Sequence, residues 1–309
     1  MRKFRHSRNS TGIVLVVTLL VLGIVIVLGY AFSTAANVAL RSARNARNAV
    51  ERDEALASGL QYALAVLAED GEDGFDSLED AWARDDQRLA VGAMAIDVNI
   101  ADENGRLNVN LAALAPDDPS RTLDLRPALK ELVRQAGGDD NDAQAIFAWL
   151  DPNTPGLHDV IAPKRPVFSL DALGAIPDLS PRVFAGEGGT ARLDDLLATH
   201  TARINVNTVS ETVLNALWGD SRAVHDLLGK RETGAFRDEA ELRTFLEAHF
   251  DEADAALWES ALDVSSDCFT VTVRAPDEAY RNTLVALVRR SGEDVRVLLS
   301  TYMTEEVEP

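Results

Sequence analysis

The sequence predicts an α+β protein: one long amino-terminal helix, then an antiparallel sheet interrupted by a large inserted all-α region. Three observations carry this. A proline-free, helix-forming stretch runs from Ile13 to about Asp70. Alternating apolar residues begin near Met94 and return from Cys268 to Tyr302. Between them lies a block of helical periodicity punctuated by prolines and glycines. Strand patterns on both sides of a helical block imply one sheet into which that block is inserted.

The amino terminus suits a bilayer. Arg2, Lys3, Arg5 and Arg8 precede a polar pause, Asn9–Gly12, and Ile13–Phe32 then carries no charge. At about 1.5 Å per residue this run covers about 30 Å, the depth of a hydrocarbon core, whereas a secretory signal needs only about 7–15 apolar residues. It can span and stay. The basic cluster favours a single-pass chain with a cytoplasmic amino terminus and its bulk outside, although Arg41, Arg44, Arg47 and Arg52 weaken the asymmetry. Ser33–Glu69 continues as Ala-rich helix beyond the lipid. Taken alone, the segment reads either as an assembly helix or as a signal anchor with a helical stalk.

At 309 residues the chain is long enough for two compact units plus a tail. Its 50 Asp and Glu against 30 Lys and Arg leave a charge of −20, which repels a phosphate backbone, so nucleic acid is not an expected partner. Cys268 is the only cysteine, so it cannot close an intramolecular disulfide, and it has no Cys or His companion at zinc spacing. The five histidines show no HExxH spacing, and the glycines form no phosphate-binding loop. These patterns predict an assembly protein, not an enzyme, and no organic cofactor.

Past the helix, Gly71-Glu72-Asp73-Gly74 breaks the pattern. Met94, Ile96, Val98 and Ile100 share one strand face, Asp102-Glu103-Asn104-Gly105 supplies a turn, and Leu107, Val109 and Leu111 return, which reads as a β-hairpin. Helices are predicted over Arg126–Ala136, Asp142–Leu150, Ser169–Ala175, Arg192–Ala198, Ser210–Leu217, Arg222–Lys230, Glu239–His249 and Glu252–Ser260. Strands close the chain at Cys268–Arg274, Tyr280–Arg289 and Asp294–Tyr302, with Ser291–Asp294 as a turn.

Two resemblances sharpen this reading. Met1–Gly12 is similar to a type IV pilin-like leader: short, basic and ending in glycine just before the apolar run. That resemblance implies cleavage between Gly12 and Ile13 by a prepilin peptidase, with methylation of the new terminus. The family's usual glutamate at the fifth mature position is replaced by Val17. In assembled pilins that carboxylate meets the free amine of the subunit above, so a subunit with nothing above it needs none. Next, Asp76–Ala83 (DSLEDAWA), Asp102–Asn110 (DENGRLNVN), Trp149–Asp151, Phe168–Pro177 (FSLDALGAIP) and Ile204–Thr208 (INVNT) occur in the order found in general secretion pathway protein K. Nearly the whole chain thus resembles a K-type minor pseudopilin of type II secretion systems.

The resemblance implies a pilin-like fold with inserted SAM-like subdomains, held in the bacterial inner membrane with its bulk in the periplasm. Its implied partners are the lipid bilayer, the prepilin peptidase, and the I- and J-type minor pseudopilins, with which it initiates or caps the pseudopilus for protein export across the outer membrane. The chain then divides into a leader, 1–12, a helix, 13–70, in the membrane over about 13–34, an α/β domain from 71–112 and 262–309, and an inserted helical domain, 113–261. A minor pilin of a type IV pilus is the nearest alternative, and the K-like insertion argues against it.

Two motifs carry competing readings. Ile204–Thr208 with the following helices also resembles the helix-hairpin-helix of membrane-anchored DNA-uptake receptors, but Trp218-Gly219-Asp220-Ser221 offers one glycine and an acid where phosphate would sit. The packing alternative has Asn207 or Thr208 capping the next helix. Asp151, Asn153 and Asp159 occupy first, third and ninth places around Gly156, as in the opening of a calcium loop, while Pro155 and Ala162 exclude a standard EF-hand. The K-type resemblance implies calcium in the helical region, and a solvated acidic turn is the other reading. Asp139, Asp140 and Asp142 form a second candidate cluster, with helix capping as their alternative.

Overall fold

The computed structural model describes residues 10–71, 74–84, 87–92, 94–156, 161–186, 190–276 and 280–306. It separates into two compact units, residues 1–55 and 56–309. Helix α1 (Ser10–Asp70) begins in the first. Among the described residues it is the one helix long and apolar enough to cross a membrane, and none of its apolar window is buried by protein. Thr18 and Thr34 turn their hydroxyls back onto the carbonyls of Leu15 and Tyr30, 2.8 and 2.9 Å away, which satisfies them without water.

In the second unit the end of α1 lies on a sheet. Leu56, Ala63 and Leu67 are buried, and at Gly59 a Cβ would stand 2.6 Å from Val273 and 2.8 Å from Ile96, so a glycine permits this approach. The sheet begins with β1 (Gln87–Val91) and β2 (Met94–Asp102). It resumes only after the helical region. That region holds the two-residue strands β3 (Leu107–Asn108), β4 (Leu197–Ala198), β5 (Ile204–Asn205) and β6 (Leu262–Asp263), where β3 pairs with β4 and β5 with β6, both parallel. Then come β7 (Cys268–Pro276), β8 (Tyr280–Ser291) and β9 (Asp294–Glu306). The five long strands are antiparallel neighbours in the order β1-β2-β7-β8-β9. Every second side chain of the middle strands is buried, including Ile96, Val98, Val271, Val273, Leu284 and Ala286, as half-covered antiparallel strands require.

The helical region comprises α2 (Val109–Ala112), α3 (Arg126–Gln135), α4 (Asp140–Leu150), α5 (Leu193–Leu196), α6 (Glu211–Trp218), α7 (Arg222–Thr233), α8 (Glu239–His249) and α9 (Glu252–Ala261). Its core gathers Leu129, Leu132, Ile146, Leu173, Leu214, Leu227 and Leu246, and also Leu107, Val109, Leu262 and Val264. The last four fall on the sheet side of the division drawn from the sequence. Asp139, Ser210, Ser221, Asp238 and Asp251 each accept backbone N–H bonds at a helix start.

Several local expectations change. The hairpin read across 94–111 does not form: β2 pairs with β1 and β7, and Leu107–Asn108 leaves the sheet to join β4. Asn104-Gly105 is not a two-strand turn because Asn104 is held by distant backbone groups. Arg192–Ala198 is one helical turn followed by β4, and residues 170–175 wind as a 3-10 helix. The cap of α6 is Ser210, not Asn207 or Thr208, whose side chains point into the interior.

Candidate functional site

On α1, Ile13 and Val17 are 64% and 53% exposed, and no other group lies within 4 Å of a Cβ placed at Gly12, Gly23 or Gly29. The helix thus offers an apolar surface with bare backbone at three glycines, the composition through which helices pack closely in lipid. Arg2, Lys3, Arg5 and Arg8 of the leader lie outside the described residues. Beyond the apolar run, Arg47 and Glu51 form an exposed i,i+4 pair at 2.7 Å.

The described acidic candidates make capping and ion-pair contacts. Asp151 bonds the Arg126 guanidinium, takes the Thr154 hydroxyl at 2.7 Å, and accepts Asn153 N–H at 2.8 Å. These bonds and Arg126 hold the Asp151 carboxyl below its usual range, although burial, the largest influence, opposes them. The Asn153 side chain is exposed, and Asp159 lies outside the described residues. In the other cluster Asp139 and Asp142 form a reciprocal capping box, Asp142 also accepts Ser180 N–H at 2.7 Å, and Asp140 pairs with Lys130 at 2.8 Å. Among the described residues, the acids close enough to share an ion are Asp70, Asp76 and Asp80. Arg290 already reaches into that group.

What the structure does assemble is a polar junction between sheet and helical region. Asn104 donates to Arg203 O and to the Asp267 carboxylate, both at 3.0 Å, and its side-chain oxygen accepts from Asp267 and Cys268 N–H. Asn205 donates to Asp76 O at 3.1 Å and to Ser266 Oγ at 2.8 Å. Asn207 donates to Phe236 O at 2.8 Å and accepts Phe236 N–H in return. Asp102, at the end of β2, accepts from the Thr208 hydroxyl, from Ser266 Oγ at 2.7 Å and from Asn104 N–H at 2.7 Å. Burial dominates its environment and pushes its carboxyl up to about 7.

Below this lies an ion cluster. Arg290 binds Asp76 through both carboxylate oxygens, Asp70 at 3.1 Å, and Ser266 O at 3.0 Å, with its guanidinium 4.8 Å from the Phe269 ring centre. Burial raises Asp70 to about 6 against the opposing pull of Arg290. The sequence reading placed Asp102 in a turn and Asp76 in the DSLEDAWA stretch but gave neither a buried partner, and it passed over Arg290. The available signal was the placing of asparagines and acids inside apolar alternation, as in INVNT, where a buried side chain needs partners. The helix-hairpin-helix reading meets the same geometry: the side chains of Asn205 and Asn207 are spent on internal bonds.

No family model matches the chain, and no curated protein matches it in sequence. A solved structure does match: a chain of the GspK-GspI-GspJ complex from the enterotoxigenic Escherichia coli type 2 secretion system. It is 20% identical, with a TM-score of 0.65, over 84% of this chain and 99% of that chain. At this identity the likeness establishes the fold, an α+β arrangement of one long apolar helix, an antiparallel sheet and several helices, consistent with the pilin-like fold expected from the sequence.

Proposed function

We propose that the chain is a K-type minor pseudopilin that stands at the tip of a type II secretion pseudopilus and binds I- and J-type minor pseudopilins to initiate or cap the fibre. The observation that carries this reading is the fold, shared over 84% of the chain with a component of a GspK-GspI-GspJ complex. Its anchor would be the apolar part of α1, cut from its leader between Gly12 and Ile13 on the cytoplasmic side of the inner membrane. With Val17 in place of a carboxylate, the helix has no charge in the hydrocarbon that needs an amine from a subunit above. The helical region between β2 and β7 would crowd repeated stacking and favours a terminal position.

Co-expression with the other minor pseudopilins, purification and native mass spectrometry test the proposal. One copy per heterotypic complex, at the mass of a chain beginning at Ile13, supports it. Homopolymers, many copies along each fibre, or retention of Met1 would refute it.

A further inference from the structure

Among the described residues the sheet ends in two edges. β1 is five residues long and carries Arg88, and a short, charged edge strand resists pairing with other chains. β9 is different. It runs for 13 residues, Asp294–Glu306, and its stretch from Val297 to Thr304 contains no charge, proline or glycine. β8 pairs with one side of β9 except at Leu298, which a register shift leaves without a partner residue, and among the described residues no strand of the sheet lies on the other side. Val297, Leu298, Leu299, Tyr302 and Met303 are 40, 45, 49, 60 and 43% exposed. Opposite Leu284 and Thr283 respectively, Tyr302 and Met303 fall on the two faces of the pleat, so apolar side chains flank the free backbone above and below.

A row of alternating N–H and C=O groups is matched in spacing only by another extended backbone, because a helix spends these groups internally. We propose that β9 is a docking edge on which an extended strand of a partner protein adds as the sixth strand of the sheet. Every pairing in this sheet is antiparallel, and antiparallel addition gives the stronger ladder. Charge selects the occupant further. The uncharged stretch spans about 27 Å and asks for a β-branched or apolar partner strand. Exposed Glu305 at its far end, on a chain of net charge −20, asks for lysine or arginine at the amino-terminal end of that strand. The inference concerns the sheet edge and does not depend on the tip assignment.

The probe is a capped peptide, Lys-Lys-Thr-Val-Thr-Val-Thr-Val, added to the full chain in detergent micelles while amide hydrogen exchange is followed. The expected result is that outward-facing amides of Val297–Thr304 slow by about tenfold or more while β1 is unchanged. A peptide with alternate amides N-methylated should give no protection, and Leu299→Lys, at an exposed position, should keep the parent melting point and lose the protection. Unchanged exchange in β9 up to about 1 mM peptide would overturn the inference. So would equal protection by the N-methylated peptide, protection confined to β1, or protection that survives in Leu299→Lys.

Discussion

Replacing Arg290 by methionine removes the one cation from a buried cluster while keeping much of the side-chain volume. The side chains involved are only 6% (Arg290), 1% (Asp76) and 11% (Asp70) exposed, so solvent does little to screen what remains. Three carboxylates, Asp70, Asp76 and Asp80, are left close to one another, and Ser266 O loses its donor. Breaking a buried pair from one side costs about 3–5 kcal/mol, which lowers the melting point of a unit this size by about 6–20 °C. Asp70, already raised to about 6, then loses the guanidinium that opposed its rise. A folded-state pKa above the unfolded value gives stability at low pH that is lost as pH climbs through it. The deficit of Arg290→Met should therefore be largest near pH 8, narrow as pH falls toward about 6, and stay level below it. Thermal unfolding followed by circular dichroism at both ends of that range measures it. A cost under about 1 kcal/mol, or a deficit that widens in acid, would refute the reasoning.

The Asp102 carboxyl, at about 7, makes the same kind of contribution: it favours the fold below the unfolded carboxylate range and loses that effect as pH rises through about 7. Asp102→Asn should flatten the fall in melting point between about pH 5 and 8, and an unchanged slope would remove Asp102 from that role. At Gly71 a Cβ would stand 2.5 Å from the backbone oxygen of Gly292 in the β8–β9 turn, so Gly71→Ala should destabilise by about 1–3 kcal/mol in denaturant titrations, and a neutral effect would mean that the turn yields freely.

Features set by local periodicity were legible in the sequence. Helix α8 has the bounds Glu239–His249 that its apolar spacing predicts, and β7, β8 and β9 begin where alternation resumes. Features set by distant partners were not. Asn104-Gly105 has the local chemistry of a hairpin turn, yet Asn104 is fixed by Asp267 and Cys268, more than 160 positions away. Asp151 has the local look of a calcium-loop residue, and nothing near it in the sequence announces its ion pair with Arg126, 25 positions away. Asp76 gave no warning of Arg290, because a single acid in a polar stretch looks like any other. For α1 the sequence was sufficient, since a helix without a charge over its apolar run needs no tertiary partner to define it.

The register of β2 against β7 places Asp102 opposite Phe269, so the chain departs from the sheet and comes back to it at neighbouring points. Deleting everything in between and closing the gap with a tight turn would leave β1, β2, β7, β8 and β9 as an uninterrupted meander. The helical body is in that sense a graft on a hairpin loop. Its size and surface can vary in evolution, or be exchanged by engineering, without changing strand order or the cover that α1 gives the sheet. The obligatory companion of such an exchange is the set of bonds around Asn104, Asn205 and Ser266, which would have to be replaced together with the graft.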